Sequence, residues 1–309
     1  MPKRWREKYE YVAKGKFFIY AFNKDHKPVL TVSPGSQIVI ETHDCYQGQI
    51  QSEDSGFQSV DWNQINPATG PVFIEGAKAG DILKVQIDKI EINDHGVMTV
   101  EPGLGVMGHR MEEFVAKMIP IVDKKAIFNE KLELPLNPMI GVIGVAPDGE
   151  PVSCGTPGAH GGNMDTTLIE PGATLYLPIF QEGALFALGD LHAAMGDGEI
   201  SVTGIEIAGK VTVTLDVLKG QSIQYPFVKN QQGIAAIVSA ETLDEAAKRS
   251  VEVTIDTLLP HMDLTLAEMT MLMSAVGNVQ VSQIVDPLVT ARFFVPRSVL
   301  EAYKVSLFA

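Results

Sequence analysis

The chain has only two cysteines, Cys45 and Cys154, in 309 residues. That is too few for a disulfide framework in a chain of this size, and it points to a reducing cytoplasm. Positive charge is scarce as well. Against 38 acidic side chains there are 24 basic ones, a net charge of −14. Such a balance repels phosphate backbones and anionic lipid, which excludes nucleic acid and membrane surfaces as expected partners. No apolar segment approaches the roughly 20 residues needed to span a bilayer. The opening "MPKRWREKYEYVAKGK" is charged throughout, without the apolar run of a secretory signal. No low-complexity run or charge block marks a linker, so residues 1–309 are read as one domain. Two catalytic signatures are also missing. There is no G-x-S-x-G elbow, and "GLGVMG" lacks the strand and downstream acid of a dinucleotide fold.

Apolar alternation is abundant. "SQIVIET", "DILKVQIDKIEI", "TLYLPI", "EISVTGIEI" and "KVTVTLDVL" repeat with period two and predict half-buried strands. Three strands follow a similar turn, at Pro34-Gly35, Ala79-Gly80 and Pro171-Gly172, where glycine supplies the positive φ of a type II turn. Helical periodicity gathers near the carboxyl end. "TLDEAAKRSVEVTIDTLL" begins with Thr242 and Glu245, and "TLAEMTMLMSAVG" with Thr265 and Glu268, both spaced as capping boxes. The methionines of the second helix read as core filler. "HRMEEFVAKM" is a third, shorter candidate helix, and the stretch from Pro102 to Pro138 reads as the most irregular part of the chain. The expected fold is α+β and β-rich: stacked, mostly antiparallel sheets with helices towards the C-terminus.

Chemistry concentrates in four places. "ETHDC" brings Glu41, His43 and Asp44 to the end of an alternating strand. "CGTPGAHGGNMD" surrounds His160, Asn163 and Asp165 with glycines, whose backbone can approach a ligand closely. In "GDLH", Asp190 and His192 stand two apart, so an extended chain projects both to one side. That makes a chelating pair for zinc or a similar ion, with Asp165 or Asp44 adding oxygen from other strands. Fourth, in "SVTGIEIAG" the alternation sets Val202, Gly204, Glu206 and Ala208 on one face, so Glu206 is expected to face a pocket. Each signal also has an ordinary reading. Asp-x-His is often a local hydrogen-bonded turn, and Asp197 in "GDGE" reads as a turn former. Cys45 and Cys154 lack an evident base, which disfavours a thiol nucleophile.

The ordered run "ETHDC", "VFIEGAKAGDILKVQI", "HGGNMD" and "GALFALGDLHAAMGDGE" closely resembles the acetamidase/formamidase family, from about residue 36 to 218 and more loosely beyond. The resemblance implies hydrolysis of a short-chain amide to carboxylate and ammonia, a divalent metal such as zinc, often with calcium, and a homodimer. On that reading Asp44, Asp165 and His192 are the expected metal ligands, with His43 and Asp190 as further ligands or their supports. His160 and Asn163 are expected to bind substrate. The backbone N–H groups of Gly161 and Gly162 are expected to serve as oxyanion donors, and Glu199 or Glu206 as general base. The alternatives are a hydrolase of a cyclic amide, and a non-catalytic β-rich protein binding a metal or small ligand.

Overall fold

A computed structural model describes residues 10–12 and 17–308; most of the charged amino-terminal stretch read above lies outside them. Among the described residues two large sheets form, one of nine strands and one of eleven. Pairing is mostly antiparallel, with parallel exceptions at Leu30–Val32 beside Ala68–Ile74 and Glu10–Val12 beside Ser36–Thr42. The alternating segments form the predicted strands at Ser36–Thr42, Ile82–Ile92, Thr174–Pro178 and Gly209–Leu218. Gly35, Gly80 and Gly172 all adopt positive φ, as the turns ahead of three of these strands require.

The main core lies between the two sheets. Ile38, Val85 and Val213 of the nine-stranded sheet meet Ile140, Leu188 and Leu191 of the other. Each such buried side chain contributes roughly 1.5–3 kcal/mol. A second core joins the nine-stranded sheet to the helices Leu243–Leu258 and Leu266–Val276 through Tyr176, Phe227 and Phe293. Met269 and Met273 are buried there as packing groups. Thr242 and Thr265 cap the two helices, the second with a complete capping box.

Three expectations fail. "HRMEEFVAKM" is a short 3-10 turn at Gly108–Arg110 followed by the strand Val115–Val122. Pairing with His95–Val100 overrides the weak helical signal there. Residues 102–114 are indeed irregular, but from Val115 the stretch is a regular meander of strands, continued by Lys125–Asn129 and Leu132–Pro135. Finally, "EISVTGIEI" is strand only at Glu206–Ile207, because Glu199 and Val202 adopt positive φ and break the extended chain.

The strand Phe186–His192 decides where the polar residues go. It runs inside the eleven-stranded sheet between Met139–Gly144 and Ala68–Ile74, and every residue of it is buried. A strand covered on both faces has no solvent side. Asp190 and His192 are therefore interior groups.

Candidate active site

His192 is the hub of the interior cluster. Its cross-strand partner is Glu206, and Glu206 Oε1 lies 3.1 Å from His192 Nε2. The same nitrogen stands 3.7 Å from Asp190 Oδ1, 3.7 Å from Glu199 Oε1 and 3.9 Å from Asp165 Oδ1. Glycines make this convergence possible. A Cβ on Gly141 would strike Asp165 Oδ1 and fall 2.6 Å from Asp190 Oδ2, and one on Gly204 would fall 2.7 Å from the His192 ring. Asp165, Asp190 and Glu199 each have positive φ. That conformation is unfavourable for residues with a side chain, and it clusters at functional sites.

A fifth carboxylate, Asp286, escaped the sequence reading. "DP" at 286–287 signals only a turn, and nothing local shows that this turn folds over the cluster. Asp286 Oδ2 accepts a 2.9 Å hydrogen bond from Asn163 Nδ2. The buried Gln283 side chain shapes the turn, its Oε1 accepting from the N–H groups of Val285 and Asp286.

Five carboxylates thus share a largely water-excluded site with one imidazole. Burial first, and mutual repulsion second, hold Asp165, Glu199 and Asp286 well above the ordinary carboxylate range. Burial likewise pushes Glu206 up to about 7, although the neighbouring imidazole draws it down. For His192 burial acts downwards, and the surrounding carboxylates, Glu206 foremost, more than reverse it, leaving the imidazole well above its usual value. Both Asp165 oxygens, Asp190 Oδ1 and Glu206 Oε2 are buried without a hydrogen-bond partner. Orphaned oxygens of this kind, crowded with like charge, suit a cation. Two groups place three donor atoms within 4.8 Å of one another: Asp165, His192 and Glu199, and Cys45, Asp190 and Glu206. Carboxylates with an imidazole are the donor chemistry of zinc, and an oxygen-rich set also suits calcium.

A cavity of about 460 Å³ opens over the cluster, lined by Asn163, Asp190, Glu199, Glu206 and Asp286 among others. Other expected site residues stand outside the donor groups, although His43 and Asp44 line a neighbouring cavity of about 170 Å³ together with Glu206. His43 follows the end of its strand and packs edge-on against Phe18, and it belongs to neither donor group. Asp44 also stands outside both, since its Oδ1 accepts from the N–H groups of Tyr46 and Gly48 in its own turn. His160 packs against Phe22 and does not line the cavity. Gly161 and Gly162 do not line it either. The Gly161 N–H is spent on the Gly158 carbonyl, and a Cβ would strike Ile143 O at Gly161 or Thr156 O at Gly162. These glycines serve close packing. Asp197, read as a turn former, is paired with the buried Arg292 at 2.6 Å. Burial raises the Cys45 thiol well above its normal value, and neighbouring carboxylates add to the effect. That disfavours a thiolate nucleophile there.

A pocket floored by buried carboxylates, with the His192 imidazole among them beneath its lining, makes a candidate cation site on a β-rich scaffold of stacked sheets. The profile of the Acetamidase/Formamidase family matches residues 16–154 and 150–302, and the chain belongs to that family. The structure resembles a predicted acetamidase/formamidase of Thermoanaerobacter tengcongensis, with a TM-score of 0.94, 50% identity, and coverage of 97% of this chain and 99% of that one. It also resembles an acetamidase of Bacillus halodurans, with a TM-score of 0.93, 44% identity, and coverage of 96% and 100%. An acetamidase of Mycolicibacterium smegmatis is 26% identical over 68% of each chain. Matches to curated relatives span 61 to 68% of those proteins' lengths.

Proposed function

We propose that the chain is a metal-dependent amidase that hydrolyses short-chain linear amides such as acetamide and formamide to carboxylate and ammonia. The observation that carries this reading is the Asp165–His192–Glu199 donor group, with Asp190 and Glu206 beside it, under an open cavity in a chain of this family. Asp165, Asp190 and His192 would hold the ion, zinc by preference for the imidazole and calcium for the oxygens. When bound, it would polarise the amide carbonyl and acidify the attacking water. Glu206, which burial raises to about 7, would take a proton from water and return it to the departing ammonia. Glu199 is the second candidate base. Asn163, held by Asp286, leaves Oδ1 without a partner and free to accept from the substrate amide. Because the site draws on residues from Cys45 to Asp286, the whole chain acts as one unit.

Two further parts of the reading concern assembly and compartment. The exposed Val106, Met107 and Ile200, joined through the Val106 N–H to Ile200 O bond, support a homodimer. Both cysteines are buried and free, which supports a cytoplasmic setting.

The test combines metal analysis with ammonia release. Purified protein should carry at least one ion per chain and hydrolyse acetamide, formamide or propionamide. A chelator should abolish turnover, and zinc should restore it. Unchanged metal content in Asp165→Ala and His192→Ala would overturn the ligand assignment.

A further inference from the structure

The cavity is much larger than the smallest amides need. At roughly 30 Å³ per water-sized group, the four heavy atoms of acetamide and one water displace no more than ~150 Å³. The cavity measures about 460 Å³, within the range that holds ligands several times larger than acetamide.

Its walls state what the remaining space would accept. Its apolar lining comes from Tyr46, Trp62 and Ile65, which belong to one packed cluster, and from Leu104, Val202 and Pro287. That cluster is rigid. Phe57 stacks on Trp62 at 4.9 Å, Phe114 and Tyr46 meet it edge-on, and the Tyr46 hydroxyl is tied to Thr99 at 2.6 Å. A wall already ordered costs little conformational entropy when a ligand covers it. Leu104 is 46% exposed at this wall, so apolar surface there stays in water until something covers it. Charge narrows the choice further. Among the described residues that line the cavity, none is lysine, arginine or histidine, while Glu101 joins the four acids of the floor. An acyl group ending in a carboxylate would bring that charge against the apolar lining with no cationic side chain to pair it.

We infer that this site prefers uncharged carboxamides with an acyl group well beyond acetyl, its apolar chain covering the Trp62–Ile65–Leu104 wall, and rejects acyl groups that end in a carboxylate. The inference rests on the amidase reading and adds the substrate class. The carboxamide head sits over the acidic floor and the chain runs along the apolar side towards the mouth.

The experiment compares kcat/KM of the metal-loaded protein for acetamide, hexanamide and adipic monoamide, an acyl chain of hexanamide length ending in a carboxylate. Each buried methylene should raise kcat/KM about fourfold, so hexanamide should exceed acetamide by about two powers of ten. The adipic monoamide should fall back to the level of acetamide or below. Ile65→Trp, which fills the apolar side, should lower the hexanamide-to-acetamide ratio at least tenfold. Hydrolysis of acetamide with no gain for hexanamide would overturn this inference and leave the amidase reading standing. So would an adipic monoamide as good as hexanamide. Silence on all three amides would remove the amidase reading, and the inference with it.

Discussion

Asp197→Ala asks whether one buried cation holds the site in shape. The Arg292 side chain is 3% exposed, and it donates to Gln280 Oε1 at 2.8 Å, Val281 O at 3.0 Å, Ser282 Oγ at 3.1 Å and Asp197 Oδ2 at 2.6 Å. The other Asp197 oxygen accepts from Thr167 Oγ1, Thr166 Oγ1 donates to Ser282 Oγ, and the Gly198 N–H donates to the Ser282 carbonyl. Three segments, carrying Asp165, Glu199 and Asp286, are therefore fastened at one guanidinium. Removing one partner of a fully buried pair costs about 3–5 kcal/mol. Asp197 is 43% exposed, so solvent already screens the pair, and about 2–3 kcal/mol is the fitting estimate. With an unfolding entropy of about 2.1 cal/mol/K per residue, a chain of 309 residues should melt about 3–5 °C lower. Contacts that orient ligand residues are typically worth about 10- to 100-fold in metal affinity or activity. The variant should lose that much kcat/KM for acetamide and bind zinc correspondingly less tightly at a temperature where it remains folded. Asp197→Asn, which keeps an acceptor for Arg292, should fall between. A lowered melting point with undiminished kcat/KM and zinc affinity would refute the reasoning, leaving the brace with a role in stability only.

Glu206→Gln keeps the shape and removes the proton-carrying group. It should fold normally and lower kcat by about two to four powers of ten, and full activity would return Glu206 to a bystander. Gly141→Ala puts a methyl where Asp165 and Asp190 approach. Metal titration should show at least tenfold weaker binding, and an unchanged isotherm would show that the carboxylates need not meet there. Burial lowers His160 to about 4 from 6.5, so between those values the unfolded chain binds the extra proton. Stability is then intact above pH 6.5 and falls as pH drops towards 4, by about 3 kcal/mol in all. Denaturant melts at pH 7 and pH 4.5 should show a smaller acid loss in His160→Gln, and an identical loss would assign the effect to other groups.

Much of the scaffold was legible in the sequence because its causes are local. Alternation at 36–42, 82–92 and 210–218 specifies strands within a few residues. A glycine at 35, 80 or 172 supplies the positive φ its turn requires, and Thr265 with Glu268 closes its own helix end. The acid-and-histidine pattern of "GDLH" marked Asp190 and His192, and the glycine-rich run marked Asp165. The rest depended on long-range pairing. Val115–Val122 is a strand because His95–Val100 lies beside it. Glu206 faces His192 through register across the sheet, although the extended run expected to deliver it is broken at Glu199 and Val202. His43 and Asp44 looked as good as the true cluster members, but their strand ends at Thr42 and their turn takes up the Asp44 oxygen. Asp286 and Arg292 gave no local signal at all, since each acquires its role from segments about 90 or more residues away. Backbone preference acts over a turn or two of chain, whereas the meeting of five carboxylates and one imidazole depends on how two sheets pack.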